Sequence, residues 1–371
     1  MKKILIVGLT SNFGGVERFV QNEVVALRNR ASIFIVKYNN RVVANEKWFN
    51  SNGAKFVNFD YPNRYLAPFL RLRRAIEFLK EQNPDVLHIH ANNLNVAFWA
   101  VAAERVGIEI VIIHSHNTQI TRSNRLKFVV FSLIQPHQRR AVSRLKNVTR
   151  LAASDRAGEW MFQRDKFEVI PNAIKVESYM FNLSSRIKIR NELMIGEEQL
   201  VLLHVGRFDY QKNQKRLLPI LNQLKMKTDF TMIFVGDGAE REQIQQQFKA
   251  MGINEFVRFV GVQSDVSQYM SAADVLVMPS RFEAMPYVLI ESEANGLPVI
   301  GSDEGFSDIH DVTHRLQTIS LNASDEEWTN LILKTLIGDY KERISDNFLV
   351  QSSNYSMTEF KKKISKLYNI D

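Results

Sequence analysis

The stretch ADVLVMPSRFEAMPYVLIESEANGLPVIGS, residues 273–302, contains two buried-strand patterns joined by a helical one. One apolar run ends at Ser280, a helix is predicted to begin near Pro286, and a second apolar run follows from Leu297. Proline suits the first turn of a helix, because no N–H is needed there for an intrahelical hydrogen bond. Strands that alternate with helices form parallel sheets covered on both faces, so this unit predicts an α/β domain.

The same alternation occurs in two series along the chain. Continuously apolar runs lie at 3–9, 32–38, 85–91, 109–116 and 148–154 in the first series, and at 200–206, 230–236, 256–261, 273–280 and 297–302 in the second. Two series predict two doubly wound α/β domains that face each other across a cleft, where ligands would bind beyond the carboxyl ends of the strands. We expect residues 1–172 to form the first domain, residues 173–350 the second, and residues 351–371 a helix that packs back on the first.

The composition is typical of a soluble globular protein, with 371 residues of which 45% are apolar and 24% charged. Cysteine is absent, which excludes disulfides, thiolate nucleophiles and cysteine-ligated metals. No apolar run approaches the ~20 residues of a membrane-spanning helix. The opening MKKILIVGLTSNFGG is typical of a first strand and a Gly-rich turn rather than a signal peptide. We therefore expect a cytoplasmic protein.

The net charge of +8 is distributed unevenly. Residues 1–170 contain 26 lysines and arginines against 13 acids, and residues 110–154 contain eight basic residues and no acid. This asymmetry favours an anionic partner for the N-terminal half, such as a membrane surface, nucleic acid or a phosphorylated acceptor. Aromatic residues are sparse in 110–154, so we expect no nucleic acid but a peripheral contact with an anionic membrane. The alternative is a core helix with a solvated basic face.

Glu283 and Glu291 lie on either side of the predicted helix start. A helix N-terminus presents free N–H groups and the positive end of the helix dipole, which suits a diphosphate. Glu283, in the loop before the helix, would accept hydrogen bonds from the hydroxyls of a sugar joined to that diphosphate. Glu291 lies about 8 Å of rise further along the helix, where it would reach another part of the ligand, such as a ribose. The alternative is that both are ordinary acids of an amphipathic helix.

Two further clusters have chemistry that suits phosphate. The segment HVGRFDYQKN at 204–213 leaves a strand and presents Arg207 and Lys212, a pair of cations for a diphosphate. Gly14 and Gly15 allow close backbone approach at another helix N-terminus. The alternatives are two solvated charges on a loop and a simple tight turn.

Together these segments resemble the retaining glycosyltransferases of family 4, which have the GT-B fold of two Rossmann-like domains. The matching motifs span nearly the whole chain: GGVE at 14–17, VGRFDYQKN at 205–213, VGDGAER at 235–241, FVGVQSDV at 259–266 and MPSRFEAMPYVLIESEANGLPVI at 278–300. The resemblance implies that Arg207 and Lys212 bind the donor diphosphate, that Glu283 contacts the donor sugar and that Glu291 holds the ribose. The further nucleotide-sugar-binding positions that it implies are Gly14, Gly15, Val262, Gln263, Ala284, Met285 and Pro286.

Among these positions, the backbone around Val262 and Gln263 would meet the base, and the two glycines would shape the acceptor and phosphate side of the cleft. Two departures leave the donor-sugar contacts open. Ala284 stands where the family usually has glycine, and SDEGFSD at 302–308 replaces a glycine-rich stretch.

The segment IIHSHNTQ at 112–119 resembles the family members that build bacterial capsule and exopolysaccharide. The resemblance implies a histidine against the donor sugar at this strand end, and we favour His116 as a catalytic residue, although the spacing leaves His114 open. His90, on a neighbouring strand end, is a weaker candidate.

The sequence thus predicts a retaining transferase that moves a sugar from a nucleotide-sugar, expected to be a UDP-sugar, to a hydroxyl acceptor. The acceptor is expected to be a glycan or lipid-linked oligosaccharide at the inner face of the plasma membrane. No D-x-D pair occurs, so we expect neither a metal nor a cofactor besides the donor. The alternatives are a nucleotide-sugar epimerase of the same fold and a basic membrane- or nucleic-acid-binding protein.

Overall fold

The chain folds into two compact units in the computed structural model. Unit 1 consists of Met1–Ala173 with Met357–Asp371, and unit 2 of Ile174–Ser356. Each is built on a sheet of parallel strands connected by helices, so the prediction of two parallel α/β domains is confirmed. The structure describes residues 1–61, 68–119, 125–335 and 340–370.

Unit 1 contains a parallel sheet in the order β3-β2-β1-β4-β5-β6-β7 over its described residues. Its strands are β1 (Lys2–Val7), β2 (Ala31–Tyr38), β3 (Lys55–Phe59), β4 (Val86–Ala91), β5 (Ile110–Ser115), β6 (Val148–Ala152) and β7 (Glu168–Val169). Its helices are α1 (Gly15–Leu27), α2 (Glu46–Ser51), α3 (Pro68–Gln82), α4 (Ala97–Val106), α5 (Arg125–Ser143) and α6 (Asp155–Phe162). The strand order reverses between β1 and β4, which is where open α/β sheets bind ligands.

Unit 2 contains a second parallel sheet, in the order β10-β9-β8-β11-β12-β13. Its strands are β8 (Leu200–Val205), β9 (Phe230–Val235), β10 (Val257–Gly261), β11 (Val275–Met278), β12 (Val299–Ser302) and β13 (Leu316–Ile319). Its helices are α7 (Leu183–Glu192), α8 (Leu217–Leu224), α9 (Arg241–Ala250), α10 (Val266–Ala272), α11 (Tyr287–Asn295), α12 (Asp303–Phe306), α13 (Asp325–Lys334) and α14 (Tyr340–Gln351). Here the order reverses between β8 and β11.

The last helix, α15 (Met357–Leu367), belongs to unit 1 and packs against α1. Its apolar face buries Phe360 and Ile364, and the ring of Phe360 lies 5.0 Å from that of Phe19. Tyr368, directly after the helix, is fully buried and donates a 2.7 Å hydrogen bond to Glu23. The end of the chain thereby contributes both an apolar face and a hydroxyl to the core of unit 1.

Alternating side chains of each central strand enter opposite faces of the sheet, as strand geometry requires. In β1, Ile4 and Ile6 pack with α1 and α15, whereas Leu5 and Val7 pack on the other face with α3 and α4. Both faces are therefore apolar, which explains why the strands are continuously apolar in sequence. Within the described ranges, no helix combines the length and apolar character that a membrane span requires.

Glycine is needed where two strand ends nearly touch. Gly8, after β1, has φ +119, and a Cβ there would lie 2.1 Å from the carbonyl oxygen of His90. Gly236, after β9, has φ +132, and a Cβ there would lie 2.1 Å from the carbonyl oxygen of Gly206. Each glycine lets the carboxyl ends of two neighbouring strands approach closely, and Gly8 does so at the switch point of its sheet.

Candidate active site

Lys212 and Glu283 form an ion pair in unit 2. Lys212 lies in the loop after β8, Glu283 lies in the loop before α11, and Lys212 Nζ is 2.7 Å from Glu283 Oε1. Glu283 is buried, and its second oxygen accepts a 3.3 Å hydrogen bond from Gln211 Nε2. An ammonium group has three donors, so the pair leaves Lys212 able to donate to a ligand as well. Two residues predicted from separate motifs are thus brought together.

Arg207 lies on the same loop, with 60% of its side chain exposed and its NH2 atom 3.2 Å from Asp209 Oδ2. Exposed pairs of this kind stabilise little, so the guanidinium is able to exchange this carboxylate for a ligand. Hydrogen bonds from buried side chains hold this loop in place. Gln214 Nε2 donates to the Arg207 carbonyl oxygen at 2.7 Å and to His204 Nε2 at 3.2 Å. His204 Nδ1 then donates to the Val277 carbonyl oxygen at 2.8 Å, and burial lowers the pKa of His204 to about 4, which keeps the ring neutral.

Helix α11 begins at Tyr287, with Pro286 as its N-cap residue in an extended conformation. Its first turn presents backbone N–H groups and the positive end of the helix dipole to an anionic group placed before the helix. Met285 and Pro286 are buried, and Ala284 is half-buried. Glu291, in the middle of the helix, is 4% exposed and accepts a 2.8 Å hydrogen bond from Tyr179 Oη. Neither Glu283 nor Glu291 is an ordinary solvated acid.

The remaining predicted positions of unit 2 lie at the end of β10. Val262 is 76% exposed, although it is apolar. Gln263 is half-buried and donates a 2.6 Å hydrogen bond from Nε2 to the Val260 carbonyl oxygen. In the segment that departs from the family pattern, the Glu304 carboxylate accepts hydrogen bonds from Leu321 N at 3.1 and 3.0 Å, so it serves the packing of α12.

In unit 1, Gly14 and Gly15 lie at the start of α1. Gly15 is exposed and Gly14 half-buried. A Cβ on Gly14 would lie 3.4 Å from Glu17 Oε2. The buried Glu17 carboxylate also accepts hydrogen bonds from Thr10 N and Oγ1, at 2.9 and 3.0 Å. A carboxylate therefore already lies beside this helix N-terminus.

Four histidines form a cluster at the ends of β4 and β5 in unit 1. The parallel register pairs His90 with His114. The rings of His88 and His90 stack with their centroids 4.1 Å apart, and the rings of His114 and His116 are tilted by 33° with their centroids 4.1 Å apart. Glu23 of α1 lies 2.8 Å from His88 Nδ1 and 3.1 Å from His90 Nε2. His114 is fully buried, whereas His116 is half-buried as a residue.

His88, His90 and His114 also have ring nitrogens within 4.8 Å of one another, close enough to be considered as metal ligands. Two features oppose this use. The rings of His88 and His114 are parallel, 4° apart and 5.5 Å between centroids, whereas ligand lone pairs must converge on an ion. Both nitrogens of His90 already have partners, Glu23 and His116. The cluster is thus better described as a hydrogen-bonded network.

The cluster predicts that unit 1 loses stability when the pH falls below about 6.5. Burial lowers the pKa of His90 to about 4 from 6.5, and burial with the neighbouring histidines lowers the pKa of His114 and His116 well below 6.5. The unfolded chain therefore binds more protons than the folded one in this range, so stability is complete above pH 6.5 and falls with acidification. His90 alone accounts for on the order of 3 kcal/mol at pH 4.

Denaturant unfolding followed by tryptophan fluorescence measures this effect, because Trp48, Trp99 and Trp160 of the four tryptophans lie in unit 1. We expect a lower midpoint at pH 5 than at pH 7, and a shallower pH dependence in His90→Phe. Equal midpoints at both pH values in the wild type would contradict the prediction.

Comparison with known proteins adds independent findings. The family model described as "Glycosyltransferase Family 4" matches residues 13–178, and the model described as "Glycosyl transferases group 1" matches residues 185–334. EpsF of Bacillus subtilis (strain 168), named as a glycosyltransferase, is 26% identical over 383 residues that cover 100% of this chain and 97% of EpsF.

Two further proteins are similar to this chain. The UDP-Gal:alpha-D-GlcNAc-diphosphoundecaprenol alpha-1,3-galactosyltransferase of Escherichia coli is 23% identical over 233 residues, 61% of this chain and 60% of that enzyme. The crystal structure of HepE from Anabaena in complex with UDP superposes with a TM-score of 0.78 and 17% identity over 99% of both chains. At that identity the superposition establishes the fold, which is GT-B. With a family 4 match over the first unit and a group 1 match over the second, the chain belongs to the family 4 glycosyltransferases of the GT-B fold.

Proposed function

We propose that the protein transfers a sugar from a UDP-sugar to a hydroxyl of a glycan or lipid-linked acceptor, with retention of the anomeric configuration. Three similarities support the proposal. HepE has been crystallised with UDP and with UDP-glucose. The E. coli relative is named for a UDP-galactose donor and a diphosphoundecaprenol-linked acceptor. A further relative, LpsD of Rhizobium meliloti (strain 1021), is named for lipopolysaccharide core biosynthesis.

The observation on which the proposal chiefly rests is the Lys212–Glu283 pair at 2.7 Å, with Arg207 on the same loop. A nucleotide-sugar has an anionic diphosphate next to neutral hydroxyls, and this group of side chains offers cations next to a carboxylate. Lys212 and Arg207 would bind the diphosphate, and Glu283 would accept hydrogen bonds from the sugar. Glu291 would hold the ribose.

The resemblance to the family implies the remaining donor contacts, which we include in the proposal. The backbone at Val262 and Gln263 would meet the base, and Ala284, Met285 and Pro286 would lead the chain into the anion-binding start of α11. In unit 1, Gly14 and Gly15 would shape the acceptor side, and His116 would contact the donor sugar.

In the reaction, the bond between the anomeric carbon and the β-phosphate oxygen breaks and a bond to the acceptor oxygen forms on the same face. The acceptor's proton passes to the departing diphosphate, so no enzymic base is needed, and because the acceptor attacks on the same face, no enzymic nucleophile is needed either. Negative charge develops on the leaving group, where Lys212 and Arg207 would stabilise it without a metal ion.

Binding and product analysis test this function together. A thermal-shift panel of nucleoside diphosphates should give the largest rise in Tm with UDP. Incubation with UDP-sugars and polyprenyl-diphosphate-linked sugars should then give an α-linked product from an α-linked donor, measured by NMR. Release of a free or epimerised sugar without acceptor modification would favour the epimerase alternative, and a β-linked product would contradict retention.

Transfer is expected to continue in excess EDTA, because Arg207, Lys212 and the start of α11 supply the positive charge. The initial rate with and without chelator measures this. A loss of rate that Mg²⁺ or Mn²⁺ restores would place an ion on the diphosphate, and a loss that only Zn²⁺ restores would place one among the histidines.

A second proposal concerns contact of unit 1 with an anionic membrane. The basic residues of the predicted segment are Arg122, Arg125, Lys127, Arg139, Arg140, Arg144, Lys146 and Arg150. Arg122 lies outside the described residues, as do the side chains of Arg125 and Lys127. Arg139 and Arg150 bind carbonyl oxygens within the protein. Arg140, Arg144 and Lys146 are exposed, and Ile134 is 43% exposed.

Replacement of Arg140, Arg144 and Lys146 by glutamine should therefore weaken binding to anionic vesicles, since each basic residue near such a surface contributes about 1 kcal/mol. Co-sedimentation with vesicles at low and high salt, with and without anionic lipid, is the measurement. The matched control replaces Lys361, Lys362 and Lys366 of α15 by glutamine, which lowers the net charge of the protein by the same amount. Binding that ignores salt and lipid charge, or an equal loss in the control, would contradict this assignment.

A further inference from the structure

Glu23, His90 and His116 form a continuous chain of hydrogen bonds in unit 1. Glu23 Oε2 lies 3.1 Å from His90 Nε2, and His90 Nδ1 lies 2.8 Å from His116 Nε2. Glu23 and His90 are buried, and His116 is half-buried. The chain therefore begins at a buried carboxylate and ends at a half-buried histidine, the residue that the proposed function places against the donor sugar.

The Glu23 carboxylate determines which group donates in each of the two hydrogen bonds. The Glu23 carboxylate is ionised, because its interactions with His88 and His90 outweigh the cost of burial and lower its pKa. An ionised carboxylate only accepts, so His90 must donate from Nε2. A neutral His90 then has its lone pair on Nδ1, so His116 must donate from Nε2. The lone pair of a neutral His116 is left on Nδ1.

Packing holds each member in place. Tyr368 donates to Glu23 Oε1, the carboxylate oxygen that does not bond to His90, at 2.7 Å. The backbone N–H of His116 donates to the Ala91 carbonyl oxygen at 3.1 Å, and its ring packs edge-to-face on Phe19 at 5.3 Å. No hydrogen bond to Nδ1 of His116 comes from any residue of the described ranges.

We propose that Glu23 and His90 are positioning residues which fix His116 as a hydrogen-bond acceptor at Nδ1, so that it selects a hydroxyl group on the sugar substrate. The proposal rests on the proposed function, in which His116 contacts the donor sugar, and it defines the chemistry of that contact. A hydroxyl donates to the bare nitrogen. A fluorine at the same position does not, because fluorine has no proton to donate.

The tautomer is measured directly in the unmodified protein. Long-range ¹H–¹⁵N correlation spectra of the full chain, labelled in its eight histidines, show which ring nitrogen carries the proton. His116 is assigned by comparison with His116→Gln. We expect His116 to be protonated on Nε2 alone at pH 7.5. A proton on Nδ1, a cationic ring or a mixture of tautomers would overturn the proposal, and this result does not depend on the folding of any variant.

Variants then test whether the tautomer of His116 depends on its hydrogen bond to His90. His90→Phe keeps a stacked ring but removes the acceptor for His116 Nε2, so His116 should become a mixture of tautomers. Tyr368→Phe is the matched control, because it removes a hydrogen bond to Glu23 but leaves the bond from His90 to Glu23 and the bond from His116 to His90. Its His116 signals should match the wild type. A single unchanged tautomer in His90→Phe would overturn the role of His90.

Transfer activity distinguishes a failure of the positioning role from a failure of the proposed function. We expect His90→Phe to lower kcat by about 10- to 100-fold, by analogy with metal-ligating histidines that lose the partner which orients them, while the rise in Tm with UDP is unchanged. Wild-type enzyme should discriminate against one monofluorinated donor sugar, and His116→Ala should lose that discrimination. If His116→Ala transfers sugar at the wild-type rate, His116 does not make the proposed contact with the donor sugar. If His116→Ala is slow but His90→Phe keeps the wild-type kcat, only the positioning role of His90 is overturned.

Discussion

Lys212→Ala is expected to lower kcat/KM for sugar transfer by about 10²–10³, the usual loss when one preorganised charge contact to a developing anion is removed. In the folded protein Lys212 Nζ lies 2.7 Å from the buried Glu283. Its removal would therefore have two effects: in the proposed mechanism the leaving diphosphate would lose a cation, and Glu283 would lose the partner that compensates its charge. Lys212→Arg should not restore the full rate, because a planar guanidinium does not replace a compact ammonium at a packed site.

The matched control is Lys215→Ala. Lys215 lies three residues further along the same loop, with 41% of its side chain exposed and a 3.7 Å pair to Glu240. Steady-state kinetics with the donor and acceptor found by product analysis should give near wild-type values for this variant. Arg207→Ala should resemble Lys212→Ala. Wild-type rates in both Arg207→Ala and Lys212→Ala would exclude this loop as the donor-diphosphate site.

The sequence predicted the fold because its signals are local. Continuous apolar runs mark strands that are buried on both faces, and α11 begins one residue from the proline used to predict it. The Lys212–Glu283 pair joins two motifs that lie 71 residues apart, yet each follows a strand of the same sheet, and parallel strands bring their carboxyl ends to one edge.

The supporting residues could not be predicted in the same way. Gln214 and His204 act through side-chain bonds beneath the Arg207 loop, and a buried polar network has no periodic signal. His88 and His90 lie on one face of β4, because alternate residues of a strand share a face. Their carboxylate partner Glu23 lies on α1, and Tyr368 reaches it across 345 residues of sequence. Only the folded chain brings these groups together.

Asp274→Ala is expected to destabilise unit 2 by about 3–5 kcal/mol, because it breaks a buried ion-pair network by removing the shared carboxylate. Asp274, 4% exposed, lies directly before β11 in the stretch that predicts the fold. Its carboxylate accepts hydrogen bonds from Arg186 at 2.7 Å, from Arg190 at 3.0 and 2.9 Å, and from the backbone N–H of Val201 at 2.7 Å. One side chain thus ties α7 to β8 and β11.

Loss of that carboxylate leaves two buried guanidinium groups without the negative charge that compensates them, and it leaves a backbone N–H of β8 without its acceptor. Hydrogen exchange of peptides from β8 and β11 measures the effect within unit 2, where we expect protection to fall, while peptides from β4 and β5 of unit 1 should exchange as in the wild type. The control is Glu192→Ala on the same helix, whose carboxylate is 54% exposed and 3.9 Å from Lys188. An exposed pair of this kind contributes less than about 1 kcal/mol, so the control should leave protection unchanged. Equal protection in Asp274→Ala and Glu192→Ala would show that the two arginines find other compensation, and that packing alone holds α7 on this sheet.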